Sequence, residues 1–218
     1  DARPRTTVEK VLGVATQTTY NVYKNNNGQR IEIEEIAPQT VAYGTPGNKQ
    51  TTKIYYLVNG NPTTSGRLQQ KTTPNGLSKI YYYEKGIFNL GATPGQSTFT
   101  SDEAGEAFRK TIINGTESSP DGIAFKTTKE VIVEDHRGNE VLKETYIYTG
   151  DGYERIKWSE IYFNREDKPV TVFNSNNTQN DKTFTCCKVG SEIKEDGTQY
   201  VYATDLLLRR ENMTKLGH

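Results

Sequence analysis

The sequence predicts an all-β protein made of antiparallel hairpins, with little or no helix, and three observations carry that prediction. Tyrosine-bearing extended runs recur along its 218 residues, at 20–23, 79–83, 144–148 and 199–202. Polar turns rich in Gly, Asn and Asp stand between extended runs, where those residues are favoured for backbone reasons. Apolar residues at helical spacing are almost absent, and the one candidate helix, residues 102–110, is interrupted by Gly105 and serves equally as a turn entering a strand.

Taken in order, the first element is the run Tyr20-Asn21-Val22-Tyr23, followed by a turn at Asn25-Asn26-Asn27-Gly28 and a second run at Arg30-Ile31-Glu32-Ile33. Successive strand side chains point to opposite faces, so Tyr81 and Tyr83, Tyr146 and Tyr148, and Tyr200 and Tyr202 each set two rings on one face. A hairpin with one aromatic face cannot bury it alone and needs neighbouring copies. Residues 91–95 and 114–122 are expected to be long hairpin loops, because they cluster Gly, Pro, Ser and Asn. No change of composition suggests a linker, so residues 1–218 are expected to form a single hairpin array.

Composition supports this. The hydrophobic fraction is 33% and the mean hydropathy −0.79, low for a core of aliphatic residues. Fourteen Tyr, seven Phe and one Trp supply the missing apolar area as rings whose polar ends can stay wet. The 27 acidic and 27 basic residues balance, which argues against a nucleic-acid or anionic-membrane partner. No apolar run is long enough for a signal peptide or a membrane-spanning helix. An opening Asp1-Ala2-Arg3-Pro4 without methionine is expected of a piece of a longer protein.

The candidate chemistry is sparse. His136 lies beside Asp135 in a predicted turn, and His218 is terminal; a general base or metal ligand at His136 would lack an accompanying nucleophile motif, so a solvated turn residue is the expected reading. Glu134, Asp135, Asp151, Glu160, Asp167, Glu195 and Asp196 could supply a carboxylate pair for glycoside hydrolysis, with Trp158, Tyr153 and Tyr162 stacking a sugar. Turn chemistry accounts for Asp135, Asp151, Asp167 and Asp196 equally. The oxygen-rich stretches 25–28, 149–152 and 174–177 lack calcium-loop spacing, and no metal or other cofactor is expected. Cys186 and Cys187 are adjacent; in a strand their side chains point apart, so two free thiols are expected, though a strained ring disulfide is the alternative.

The run Gly66-Arg67-Leu68, then Asn75-Gly76, then Lys79-Ile80-Tyr81-Tyr82-Tyr83-Glu84 resembles the YD repeat of Rhs proteins, in which a Gly-Arg-Leu strand precedes Asn-Gly and a Tyr-X-Tyr-Asp strand. Residues 135–148 and 195–209 are similar to it, the latter ending in Asp205-Leu206-Leu207-Leu208-Arg209. The aspartate after the second tyrosine is replaced by Glu84, Thr149 and Ala203, and the glycine before arginine by Leu208. The resemblance implies an extended sheet that curves or spirals into a shell, with Tyr81, Tyr83, Tyr146, Tyr148, Tyr200 and Tyr202 as its structural repeat positions. It also implies a non-enzymatic wall that encloses or presents a C-terminal, toxin-like effector or mediates cell contact, in a secreted or surface-exposed bacterial protein. The partners would then be the rest of a larger repeat protein or its effector. A surface module that binds glycan or protein through exposed aromatic strips is the alternative, and edge-to-edge self-association of an isolated array is expected.

Overall fold

The computed structural model describes residues 5–116, 127–164, 168–175, 178–185, 188–194, 196–205 and 210–216. All its regular structure is extended, and no helix occurs among these residues. The strands are β1 (Arg5–Val11), β2 (Val14–Asn26), β3 (Gln29–Pro38), β4 (Lys49–Tyr55), β5 (Leu68–Thr72), β6 (Leu77–Asn89), β7 (Thr98–Ser101) and β8 (Ala107–Thr116). They continue as β9 (Thr128–Glu134), β10 (Glu140–Tyr148), β11 (Tyr153–Phe163), β12 (Pro169–Asn174), β13 (Gln179–Thr185), β14 (Lys188–Ile193), β15 (Gln199–Asp205) and β16 (Arg210–Leu216). The predicted tyrosine runs all fall within strands: β2, β6, β10 and β15. Residues 102–106 form a turn that enters β8, so the helix candidate resolves as a strand entry.

Strand order follows chain order with one excursion. The hydrogen-bonded path runs β1 to β6, then β8 to β16, and β7 pairs with β6 off that path. Antiparallel ladders join β1 through β7 in turn and β10 through β16 in turn, from Arg5↔Asn21 at the start to Asp205↔Arg210 at the end. Turn chemistry sets the first registers. Leu12-Gly13 and Asn27-Gly28 both have positive φ at both positions, the type I′ geometry that matches strand twist. Each closes a two-residue hairpin, Val11↔Val14 and Asn26↔Gln29.

The curved or spiralling shell that the resemblance implies does not form. The sheet is neither closed nor strongly curled. Its path ends at β1 and β16, each with one hydrogen-bonded neighbour among the described residues. Tyrosine alternation specifies which face a ring occupies, but curl is set by bulges and strand coiling, which that alternation does not carry.

The backbone divides into two compact units, Asp1–Glu84 with Lys110–Lys129, and Lys85–Arg109 with Glu130–His218. In the first unit, the paired residues Thr18↔Ala37, Tyr20↔Glu35 and Val22↔Ile33 share one face of β2 and β3, and all but Tyr20 are buried. Residues 39–48 fold over that face: the Tyr20 hydroxyl donates to the Val41 carbonyl at 2.8 Å, and its ring meets Tyr43 edge-on. In the second unit, Ala107, Val131, Val133, Val141 and Leu142 form a buried cluster, with Phe88, Phe99, Tyr146 and Phe163 packed against it. Here the excursion into β7 provides a second layer.

That layer fits closely because of two glycines. Gly86 on β6 and Gly105 in the turn before β8 are both buried, and a Cβ on Gly105 would overlap the Gly86 carbonyl and stand 2.6 Å from its Cα. Neither has a positive φ, so space rather than backbone conformation requires glycine there.

Candidate functional site

One arrangement occurs in both units. A buried strand glutamate receives hydrogen bonds from the loop folded over its face. In the first unit Glu35, 2% exposed, accepts the Gly44 N–H at 2.7 Å, the Asn48 side-chain amide at 2.6 Å and the Gln50 amide at 3.2 Å. In the second, Glu160, 1% exposed, accepts the Gly95 N–H at 2.9 Å and the Ser97 N–H at 3.2 Å through Oε1, while the Tyr162 hydroxyl donates to Oε2 at 3.3 Å. Burying a carboxylate is tolerable only when such donors satisfy it.

The loops themselves match. Thr45-Pro46-Gly47-Asn48 and Thr93-Pro94-Gly95-Gln96 each close a turn by an N–H donated from the fourth residue to the first carbonyl, Asn48 to Thr45 and Gln96 to Thr93, both 3.2 Å. Pro at the second position and a positive-φ Gly at the third are what a type II turn requires. Glu160 is among the carboxylates the sequence offers, but for glycoside hydrolysis rather than as a buried clasp; the duplicated turn and Glu35 have no counterpart among the sequence expectations. The available signal is the repeated Thr-Pro-Gly, at 45–47 and 93–95, of which only the second falls in a stretch expected to be a loop.

Gly95 is the centre of the second clasp. Its N–H goes to Glu160, its carbonyl accepts Arg155 Nη2 at 2.9 Å, and the Trp158 ring comes within 2.5 Å of where a Cβ would stand. Arg155 also pairs with Glu144 at 2.7 Å. A β-bulge makes this possible. Thr145 pairs with Lys157 and Tyr146 with Arg155, which leaves Ile156 without a partner in the register. The extra residue brings Tyr153 and Arg155 onto the face of Trp158, Glu160 and Tyr162, whereas strict alternation would put them on the other.

Beside the clasp lies a cleft of about 780 Å³ within the second unit. Phe88, Val141 and Phe163 give it apolar walls, with the exposed Ile87 and Leu90 at its margin. Asp102, Glu106, Asp135 and Glu160 also line it, against the single guanidinium of Arg137.

The sequence candidates separate into several places. His136 and Asp135 line the cleft with Glu160 and Tyr162. Asp135 is an Asx-turn residue: its Oδ1 accepts the Arg137 and Asn139 N–H groups, both 2.9 Å, and His136 Nε2 accepts Arg137 Nε at 3.3 Å. Asp196 caps its own turn through the Thr198 N–H at 2.8 Å, and Asp151 sits in the 149–152 turn. Glu134 ends β9. Trp158 lies beneath the Gly95 loop, Tyr153 meets Tyr148 edge-on, and Tyr162 meets Phe173 at 5.4 Å between ring centres. Each is partly buried, so the three share a face without forming an exposed strip. Cys186, Cys187, Asp167, Glu195 and His218 lie outside the described residues, as does the side chain of Tyr202. Among the described residues, no cluster of three His, Cys, Asp or Glu is arranged to hold a metal ion.

The other repeat tyrosines are held individually. Tyr83 meets Tyr56 edge-on with Arg67 over its ring, the Tyr56 hydroxyl donates to the Tyr81 carbonyl, and Tyr200 is partly buried on β15. Burial pushes the Tyr146 phenol up to about 12, helped by its hydrogen bond to Glu144 and by that carboxylate's charge. Burial and the neighbouring glutamate also raise Tyr43, beside Glu35, and Tyr162, beside Glu160. A phenol raised in the folded state contributes stability that is complete below the unfolded value near 10 and lost as pH rises through the folded value. The fold is therefore expected to weaken between pH 10 and 12. Following tyrosinate absorbance should show a phenol titrating near the top of that window in the wild type and absent in Tyr146→Phe; an unchanged profile would count against the assignment.

No family model matches this chain, and no curated protein matches it.

Proposed function

We propose that this chain is a non-catalytic scaffold segment of a larger hairpin-repeat protein of the YD type, secreted or displayed on a bacterial surface. It would present an effector or make cell contact through an open array. The observation that supports this best is the pairing of strands in chain order, hairpin upon hairpin, with long loops clasped back onto the sheet by Glu35 and Glu160. Such an array gains stability by adding neighbours, and its parts depend chiefly on what lies next to them.

Deletion of whole hairpins tests the reading. Removing residues 195–218, and with them β15 and β16, is expected to leave the hydrogen-exchange protection of β9–β11 unchanged, because that core draws on β6 to β11. Loss of protection throughout the chain would show an integrated fold rather than an array. A glycan array bound by the full chain and lost in Trp158→Ala would move the assignment to the binding module instead.

A further inference from the structure

The hairpin joining β1 to β2 ends in a residue that both its backbone and its surroundings disfavour. Leu12 holds φ at +49° and is 99% exposed, at a type I′ position that Asn, Asp or Gly ordinarily fills. The closing pair beside it, Val11 and Val14, is also exposed, at 61% and 66%. A bulky apolar side chain in a left-handed, solvated turn departs from local rules twice, and such departures mark working parts of a surface. The second unit carries a cavity of the opposite character: apolar walls at Phe88 and Phe163, exposed apolar margins at Ile87 and Leu90, and a lining in which the exposed Asp102 and Glu106, with Asp135, outnumber the one guanidinium of Arg137.

We propose that the β1–β2 tip of one copy of this chain seats in the cleft of a second copy. Leu12 and the two valines supply an apolar plug suited to a cleft of about 780 Å³. Lys10 stands directly behind them, paired with Ala15, so the first charge met behind the plug is positive where the cleft carries Asp102 and Glu106; Glu9 sits one pair further back. The contact is heterologous, because tip and cleft are different surfaces. A pair joined by one such contact therefore leaves one tip and one cleft unfilled, and growth beyond a dimer follows unless the rotation closes a ring.

Sedimentation velocity of the full chain across a concentration series reads this directly. The wild type is expected to associate. Leu12→Asn, which restores the preferred turn residue, is expected to weaken association at least tenfold while unfolding no earlier than the wild type. Lys10→Glu is expected to weaken it as well, and mixing that variant with a copy carrying Asp102→Lys and Glu106→Lys is expected to recover a hetero-pair. A wild-type monomer at millimolar concentration would overturn the proposal. So would association indifferent to Leu12→Asn, which would mean edge pairing along β1, since Leu12 is outside the ladder. Leu12-dependent sedimentation with phosphatidylcholine vesicles, without self-association, would assign the tip to a membrane and overturn it too.

Discussion

Glu160→Ala is expected to destabilise the second unit by about 2–6 kcal/mol, since it strands two loop N–H groups at about 1–3 kcal/mol each. That corresponds to a fall on the order of 10 °C in the melting midpoint for a chain of this size. The size of the effect follows from position. Glu160 is 1% exposed, and the Gly95 and Ser97 N–H groups lie where water cannot readily replace it. Arg155 would still hold the Gly95 carbonyl, so the loop should loosen rather than leave. Hydrogen exchange reads the distinction: protection at 95–97 should drop sharply in Glu160→Ala, with residues 44–50 unaffected, and Glu35→Ala should do the converse. Equal loosening of both loops by either change would show that the two clasps are not separate local devices.

Gly105→Ala is the second change of large expected effect. Its added methyl would overlap the Gly86 carbonyl, a backbone atom that no rotamer change can move aside. Overpacking commonly costs about 1–3 kcal/mol, and the result here should reach the top of that range or beyond. The hairpin of β6 and β7 would have to lift from β8, which exposes the cluster around Ala107 and Val133. Gly76→Ala is the informative contrast. Nothing lies within 4 Å of its Cβ position, although its φ is +78°, so its cost is confined to backbone conformation. Thermal melts of the two variants should differ clearly, with Gly105→Ala the lower; the reverse order would mean that the layers can slide apart cheaply.

Much of the fold is legible in local residues. Asn27-Gly28 states its turn, Gly138 and Gly197 mark others, and the Tyr-X-Tyr runs state their strands. These are properties of two to five adjacent residues, and local chemistry decides them. The candidate site was less legible because its relations are long-range. Glu160 is 65 residues from the loop it binds, and nothing in Ser159-Glu160-Ile161 announces a buried carboxylate. The bulge at Ile156 likewise arises from pairing with β10, and it overturns the simple parity that would separate Tyr153 from Trp158. Curl failed for the same reason: it sums small rotations over many strands, and a degenerate tyrosine pattern constrains only the face.

Pairing in chain order has a mechanical consequence. Tension applied through the end of the chain that carries β16 would load the β15–β16 ladder like a zipper, opening its hydrogen bonds one pair after another from Gln199↔Leu216. Such a hairpin yields at low force and, once extended, lengthens the chain by roughly 60 Å. Peeling inward by further hairpins would proceed alike until it reached β11. There the bonds from Glu160 and Arg155 to the Gly95 loop join segments about sixty residues apart, and several contacts must break together. A sheet of this construction is a compliant tether outside its clasps and a stiff anchor within them.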